Sequence, residues 1–199
     1  MTWRPLEGGK GAYGSVLCLT SRLGNFNSER LIETCLTCLA KLGFNVLQVN
    51  MPPKLSNGRA KFSKLQSIDA QLAFEWLKQR QPKERGRGVH VIGVSLACCV
   101  ALDVIVRRPE VGRYVLVSPA VERRNFGGLA KLQTGGRVII GSADRLLAKI
   151  DIERFAAKVL RQKCPANVRV TVVKGAGHFL SGGSARLSAA VGETFLRRG

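Results

Sequence analysis

Three residues far apart in the chain carry side chains and neighbours suited to nucleophilic acyl transfer. Ser95 lies in Gly93-Val94-Ser95-Leu96-Ala97, between the apolar run Val89–Gly93 and a helix-like segment from Cys98 to Arg107 that ends before Pro109. A strand that turns into a helix through a serine crowds the backbone there, so it needs small flanking residues. It also exposes the hydroxyl and aims the helix N-terminus at a developing oxyanion. On its own the pentapeptide fits a helix-capping serine as well as a nucleophile. Two further loops add to it: Gly141-Ser142-Ala143-Asp144 after the run Arg137–Ile140, and Gly175-Ala176-Gly177-His178-Phe179 after Val168–Val173. The chain has only two histidines. His90 falls within a strand pattern and reads as a core residue, which leaves His178 as the candidate general base.

The elements that must hold these residues are legible as alternating runs. Six β-rich stretches, Val16–Leu19, Asn45–Val49, Val89–Gly93, Tyr114–Val117, Arg137–Ile140 and Val168–Val173, are mostly continuous in apolar character, as strands buried on both faces are. Between them lie segments of helical period. Ser28–Leu42 places Leu31, Ile32, Cys35, Leu36 and Leu39 on one face with Gly43 as a stop; a helix capped by Ser67 carries Leu72, Phe74, Trp76 and Leu77; Leu146 to Lys163 and Ser184 to Arg198 follow. The alternation predicts an α/β protein: a single-domain, doubly wound, mostly parallel sheet of about six strands with helices on both faces. Residues 1–14 read as an N-terminal extension and 15–199 as the domain. Val168–Val173 alternates in the manner of an edge strand. Ser95, Asp144 and His178 all fall just beyond carboxyl ends of strands, the edge where open α/β sheets place their sites.

Composition excludes several classes. At 199 residues and 45% hydrophobic content the chain can bury one core, which rules out a disordered tail or a small disulfide scaffold. The apolar run Val89 to Val106 is broken by His90, Ser95 and Asp103 and falls short of a bilayer span. Cys35-x-x-Cys38 lacks a second ligand pair for zinc, so it reads as core packing, and reduced thiols are expected of an intracellular protein, cytoplasmic or mitochondrial. No metal and no cofactor are expected.

The motifs Gly93-Val94-Ser95, Gly141-Ser142-Ala143-Asp144 and Gly175-Ala176-Gly177-His178-Phe179 have companions in Gly24-Asn25-Phe26-Asn27, Leu42-Gly43-Phe44 and Val117-Ser118-Pro119. Together, from about Val16 to the C-terminus, they resemble the α/β-hydrolase superfamily, in particular its small dienelactone-hydrolase-like branch. The resemblance implies a minimal, lidless α/β-hydrolase fold and a serine esterase or thioesterase. In it Ser95 is the nucleophile, His178 the base and Asp144 the carboxylate that orients the imidazole. It also implies an oxyanion hole made by the Leu96 backbone N–H and a second donor around Ser21 and Arg22. The chain departs from the family pattern in reading Thr20-Ser21-Arg22 where His-Gly is usual, and Ala97 in place of the second elbow glycine. Loss of one oxyanion donor costs roughly 3 kcal/mol of transition-state stabilisation. Ser118 to Arg137 is short for a lid, which implies an open site, and no room is expected before Val16 for leading antiparallel strands.

Charge points to partners. Thirty-two Lys and Arg against thirteen Asp and Glu leave +19. Between Glu33 and Asp69 there is no acid, while Lys54, Arg59, Lys61 and Lys64 accumulate, and Lys83, Arg85 and Arg87 lie in a second basic stretch from Gln79 to Gly88. Pro52–Lys64 and Gln79–Gly88 both read as basic surface loops. The surface is either solubilising or polyanion-binding. Two functional readings stand side by side. One is a hydrolase acting on a small-molecule or acylated substrate. The other is a weakly active or inactive hydrolase-fold protein that serves as a basic RNA-binding subunit of a ribonucleoprotein such as a mitochondrial ribosome.

Overall fold

The computed structural model describes residues 1–4, 13–21, 26–56, 59–61, 63–81, 88–120, 134–146 and 168–196. In chain order the elements are β1 (Thr2–Arg4), β2 (Gly14–Thr20), α1 (Phe26–Lys41), β3 (Phe44–Asn50), β4 (Lys54–Ser56), β5 (Arg59–Lys61), α2 (Lys64–Gln79), β6 (Val89–Val94), a 3-10 turn (Ser95–Ala97), α3 (Cys98–Arg107), β7 (Tyr114–Val117), β8 (Gly136–Gly141), β9 (Val168–Val173) and α4 (Ser184–Phe195).

Seven strands form one sheet in the order β1-β3-β2-β6-β7-β8-β9. The six strands from β3 to β9 in that order are parallel, as the uninterrupted apolar runs require. Every residue of β2, β6, β7 and β8 is buried. The two faces of the sheet carry separate apolar layers. One joins Leu17, Leu19 and Val91 to Phe74 and Leu77 of α2 and to Ala101 and Ile105 of α3. The other joins Val16, Ile92 and Val115 to Leu31, Cys35 and Leu39 of α1 and to Leu187, Val191 and Phe195 of α4. Fully burying one such side chain stabilises by about 1.5–3 kcal/mol, so these layers hold the strand ends in place. His90 is a core residue as expected, stacked on Phe195 at 5.0 Å and edge-on to Phe44. Cys18, Cys35, Cys38, Cys98 and Cys99 are buried free thiols. α1 ends as its pattern foretells, with Gly43 at φ +80° donating its N–H to Ala40.

Four differences from the sequence expectation have local physical causes. Thr2–Arg4 is an antiparallel strand on β3, with Trp3 opposite Leu47, so a leading antiparallel strand does precede Val16 and the first residues join the sheet. The Pro52–Lys64 stretch is not a plain loop: β4 and β5 pair as a small antiparallel hairpin. Helix α2 begins a turn earlier than Ser67. Its cap is Ser63, whose hydroxyl accepts from the Gln66 N–H while the Gln66 side chain accepts from the Ser63 N–H, a capping box. Ser67 instead donates to Asp103 of α3 at 2.9 Å. Leu72, read with Phe74 and Leu77 among the apolar residues of this helix, is 62% exposed, while Phe74 and Leu77 are buried. β9 is the outermost strand, as its alternation predicts. The third amphipathic segment, Leu146 to Lys163, lies outside the described residues beyond Leu146, as does most of the Ser118–Arg137 connection. Among the described residues no helix is long and apolar enough to cross a membrane.

Candidate active site

The central strand β6 delivers Ser95 to the carboxyl edge of the sheet. Ser95 has φ +54°, a backbone conformation that non-glycine residues rarely adopt, and it opens the 3-10 turn that feeds α3. The tight return explains Gly93: a Cβ there would stand 2.7 Å from the Ala101 Cβ and 2.9 Å from the Cys98 Cα. Only a glycine lets α3 fold back against its own strand. Ala97, in place of a second glycine, is fully buried without a positive φ.

The strands on the other side of the edge bring in the remaining two residues. Asp144 follows β8 and is 1% exposed; His178 follows β9 and is 8% exposed. The loops that carry them are bonded to each other. Ser142 N–H donates to the Val173 carbonyl at 3.0 Å, Ala143 N–H to the Ala176 carbonyl at 2.9 Å, and Gly175 N–H to the Ser142 hydroxyl at 2.8 Å. Gly141 lets them meet, because a Cβ on it would lie 2.2 Å from the Ala176 carbonyl oxygen. Sequence reading named Gly141 and Ser142 only as parts of a turn. The signal was the second Gly-rich loop after the next strand, since two loops that must touch need small residues at the contact.

The side chains then meet in series. Ser95 Oγ lies 2.8 Å from His178 Nε2, and His178 Nδ1 lies 2.8 Å from Asp144 Oδ2. The other carboxylate oxygen, Oδ1, accepts from the Leu146 N–H at 2.9 Å. An ionised carboxylate can only accept, so Nδ1 carries the proton and Nε2 is left with a lone pair facing the Ser95 hydroxyl. Phe179 packs edge-on against the imidazole at 5.2 Å and limits its rotation. Ser95 is 7% exposed, so its hydroxyl, like the imidazole, is largely covered.

The remaining candidates are placed unevenly. Leu96 follows Ser95 in the 3-10 turn and is buried. Ser21 follows β2, whose Leu19 pairs with Gly93, so it stands beside Ser95 at the same edge. Its hydroxyl is buried with no hydrogen-bond partner among the described residues. Arg22 lies outside the described residues. Of the basic residues, Lys64 is exposed at the start of α2; Lys54, Arg59 and Lys61 lie on the β4–β5 hairpin; Lys83, Arg85 and Arg87 lie outside the described residues. The polyanion reading therefore rests on net charge alone. Cys98 offers no rival nucleophile: burial first, and then its neighbour Cys99, push its thiol well above the ordinary range.

No family model matches the chain. It is 23% identical over 182 residues to an uncharacterized protein of Rickettsia prowazekii (strain Madrid E), an alignment covering 87% of this chain and 73% of the relative. Among solved structures it resembles a Xanthomonas campestris α/β serine hydrolase without a lid, with a TM-score of 0.71, 18% identity and coverage of 95% of this chain and 85% of the other. It also resembles an esterase of Pyrococcus furiosus, with a TM-score of 0.64, 18% identity and coverage of 92% and 82%. The fold defined by this sheet order and elbow is that of the α/β hydrolases.

Proposed function

We propose that the protein is a serine hydrolase that cleaves an ester or thioester through an acyl-enzyme intermediate. The observation that carries this reading is the continuous Ser95–His178–Asp144 series, with both contacts at 2.8 Å. In the proposed reaction Ser95 Oγ attacks the acyl carbon while His178 Nε2 takes its proton. Asp144 holds the tautomer that leaves Nε2 free and stabilises the imidazolium that forms. The same Nε2–H then protonates the departing alkoxide or thiolate. A water, deprotonated by the regenerated base, releases the acyl group and restores Ser95.

Negative charge on the tetrahedral oxygen falls to the Leu96 N–H at the mouth of the α3 turn, with Ser21 as the second donor. Thr20-Ser21-Arg22 provides no glycine there, so the second donor is the weaker half of the hole and turnover is slow relative to acylation by reactive reagents. A fluorophosphonate probe tests the reading directly. Covalent labelling of the wild type that disappears in Ser95→Ala supports it; an unlabelled wild type, or labelling that survives the substitution, overturns it.

A further inference from the structure

Beside the imidazole lies a cleft that the proposed reaction leaves unused. It encloses about 50 Å³ between the first two turns of α1 and the loop that runs from His178 into α4. Leu31, Leu180 and Leu187, all buried, form its apolar floor, and the exposed Arg30 and Ser184 stand at its mouth. Phe179 is shared: the ring that lines the cleft is the one that meets the His178 imidazole edge-on, 5.2 Å from centroid to centroid. Leu180 reaches the floor from a backbone at φ +50°, a conformation rare for leucine, fixed by its own N–H donating to the Gly177 carbonyl and by the Gly183 N–H donating to the Leu180 carbonyl. The cleft is therefore formed before anything enters it.

Its charge is of one sign. Arg30 shares a face of α1 with Leu31 and Thr34, and no acid lines the cleft. Glu29 and Glu33, one residue before Arg30 and three after it, are turned off that face by the helical period. Arg30 forms no ion pair with any described residue. A guanidinium at the mouth of an apolar recess presents a planar fork that matches one carboxylate, and the Ser184 hydroxyl can add a further donor. At roughly 10–15 Å³ for each water-sized occupant the recess holds about four non-hydrogen atoms, which is a carboxylate and the carbon that bears it.

Resting on the hydrolase reading, we propose that this cleft receives a carboxylate carried on a short arm of the leaving group, so that the substrate is an ester or thioester of an acidic alcohol or thiol. In that reaction His178 protonates the departing oxygen or sulfur, so the leaving group is the part of the substrate drawn to the imidazole and to the Phe179 ring beside it. An arm that passes the ring sets its methylene carbons on the leucine floor and its anion against Arg30. The contact fixes which side of the scissile bond faces the base, and Arg30 is then a specificity-determining residue.

The test compares two butyryl thioesters, one of mercaptopropionate and one of its neutral amide, mercaptopropionamide, with thiol release followed by a thiol-reactive chromophore. The expected kcat/KM is roughly tenfold or more higher for the acidic thioester, mostly through KM. Arg30→Gln should remove that preference and Arg30→Lys should retain part of it. Arg107→Gln takes the same charge from the end of α3 remote from Ser95 and should retain all of it, which separates the cleft from the attraction of the whole +19 surface. Binding is read without turnover by saturation-transfer NMR: methylthiopropionate should give a signal that Arg30→Gln abolishes and that methylthiopropionamide lacks. Equal rates for the two thioesters in a protein that the fluorophosphonate probe labels, or no signal from methylthiopropionate, overturns the subsite and leaves the hydrolase reading standing. A preference that survives Arg30→Gln also overturns it. Binding of methylthiopropionate through Arg30 in a protein that takes no probe overturns the hydrolase reading, and the leaving-group assignment with it.

Discussion

The Ser142 hydroxyl accepts a hydrogen bond from the Gly175 N–H at 2.8 Å, and through it the turn that carries Asp144 is joined to the loop that carries His178. The carboxylate and the imidazole come from different strands, so their 2.8 Å contact depends on such ties between loops. Ser142→Ala removes one of three and should lower kcat roughly tenfold with little change in KM, as the imidazole loses its fixed position. Gly141→Ala drives a methyl into the Ala176 carbonyl and should cost on the order of 3 kcal/mol, measured as a lowered urea midpoint.

Asp144→Asn keeps the size of the side chain and inverts its hydrogen bonding. The amide NH₂ donates to Nδ1, so the proton moves to Nε2 and can no longer be exchanged for that of Ser95. Ester hydrolysis should fall by about 10⁴-fold in kcat while the melting temperature changes little. A fall of only a few fold, measured by stopped-flow with an activated ester, would mean that another group orients the imidazole.

Burial, aided by the neighbouring thiols, holds Cys35 and Cys98 well above their ordinary value of 9.0. The unfolded chain therefore releases these protons at lower pH than the folded one. Stability linked to the protonated thiols is complete below 9.0 and is lost as pH rises from there towards the folded values. Urea midpoints measured at rising pH should decline in that window, and Cys35→Ala with Cys98→Ala should flatten the alkaline decline while lowering stability at neutral pH.

Arg137, 8% exposed at its side chain, donates to Thr171 of β9 at 2.9 Å and to Glu193 of α4 at 2.8 Å. Because Glu193 is 63% exposed, water screens the pair and its loss is modest. Glu193→Gln should cost about 1–2 kcal/mol in chemical denaturation, and Arg137→Met, which removes the covered charge as well, should cost less than Arg137→Ala.

The parts of this architecture that sequence reading recovered are those where one strong effect decides. Val89–Val94 and Tyr114–Val117 are apolar at every position or nearly so, which only burial on both faces explains, and the order of Ser95, Asp144 and His178 at successive strand ends follows from a parallel sheet. Thr2–Arg4 was hidden because its pairing with Val46, Leu47 and Gln48 is made by backbone groups that carry no residue signature. The β4–β5 hairpin has too few residues per strand to show a period. The true start of α2 was legible: Ser63 is followed three residues later by Gln66, the capping-box spacing, whereas Ser67 has no such partner. The contact between Gly141 and the His178 loop was not, since it joins segments that nothing local relates.

The proposed nucleophile and the proposed base have unequal anchorage. Ser95 hangs from β6, which has strands on both sides and helices above and below, whereas His178 hangs from β9, the outermost strand, where Arg169 and Val172 already face water. Fluctuations that fray the sheet begin at such a margin, because fewer neighbours must be given up. Under mild denaturant the imidazole should therefore depart while the hydroxyl still sits in an intact interior, so the proposed activity should be lost before the molecule melts.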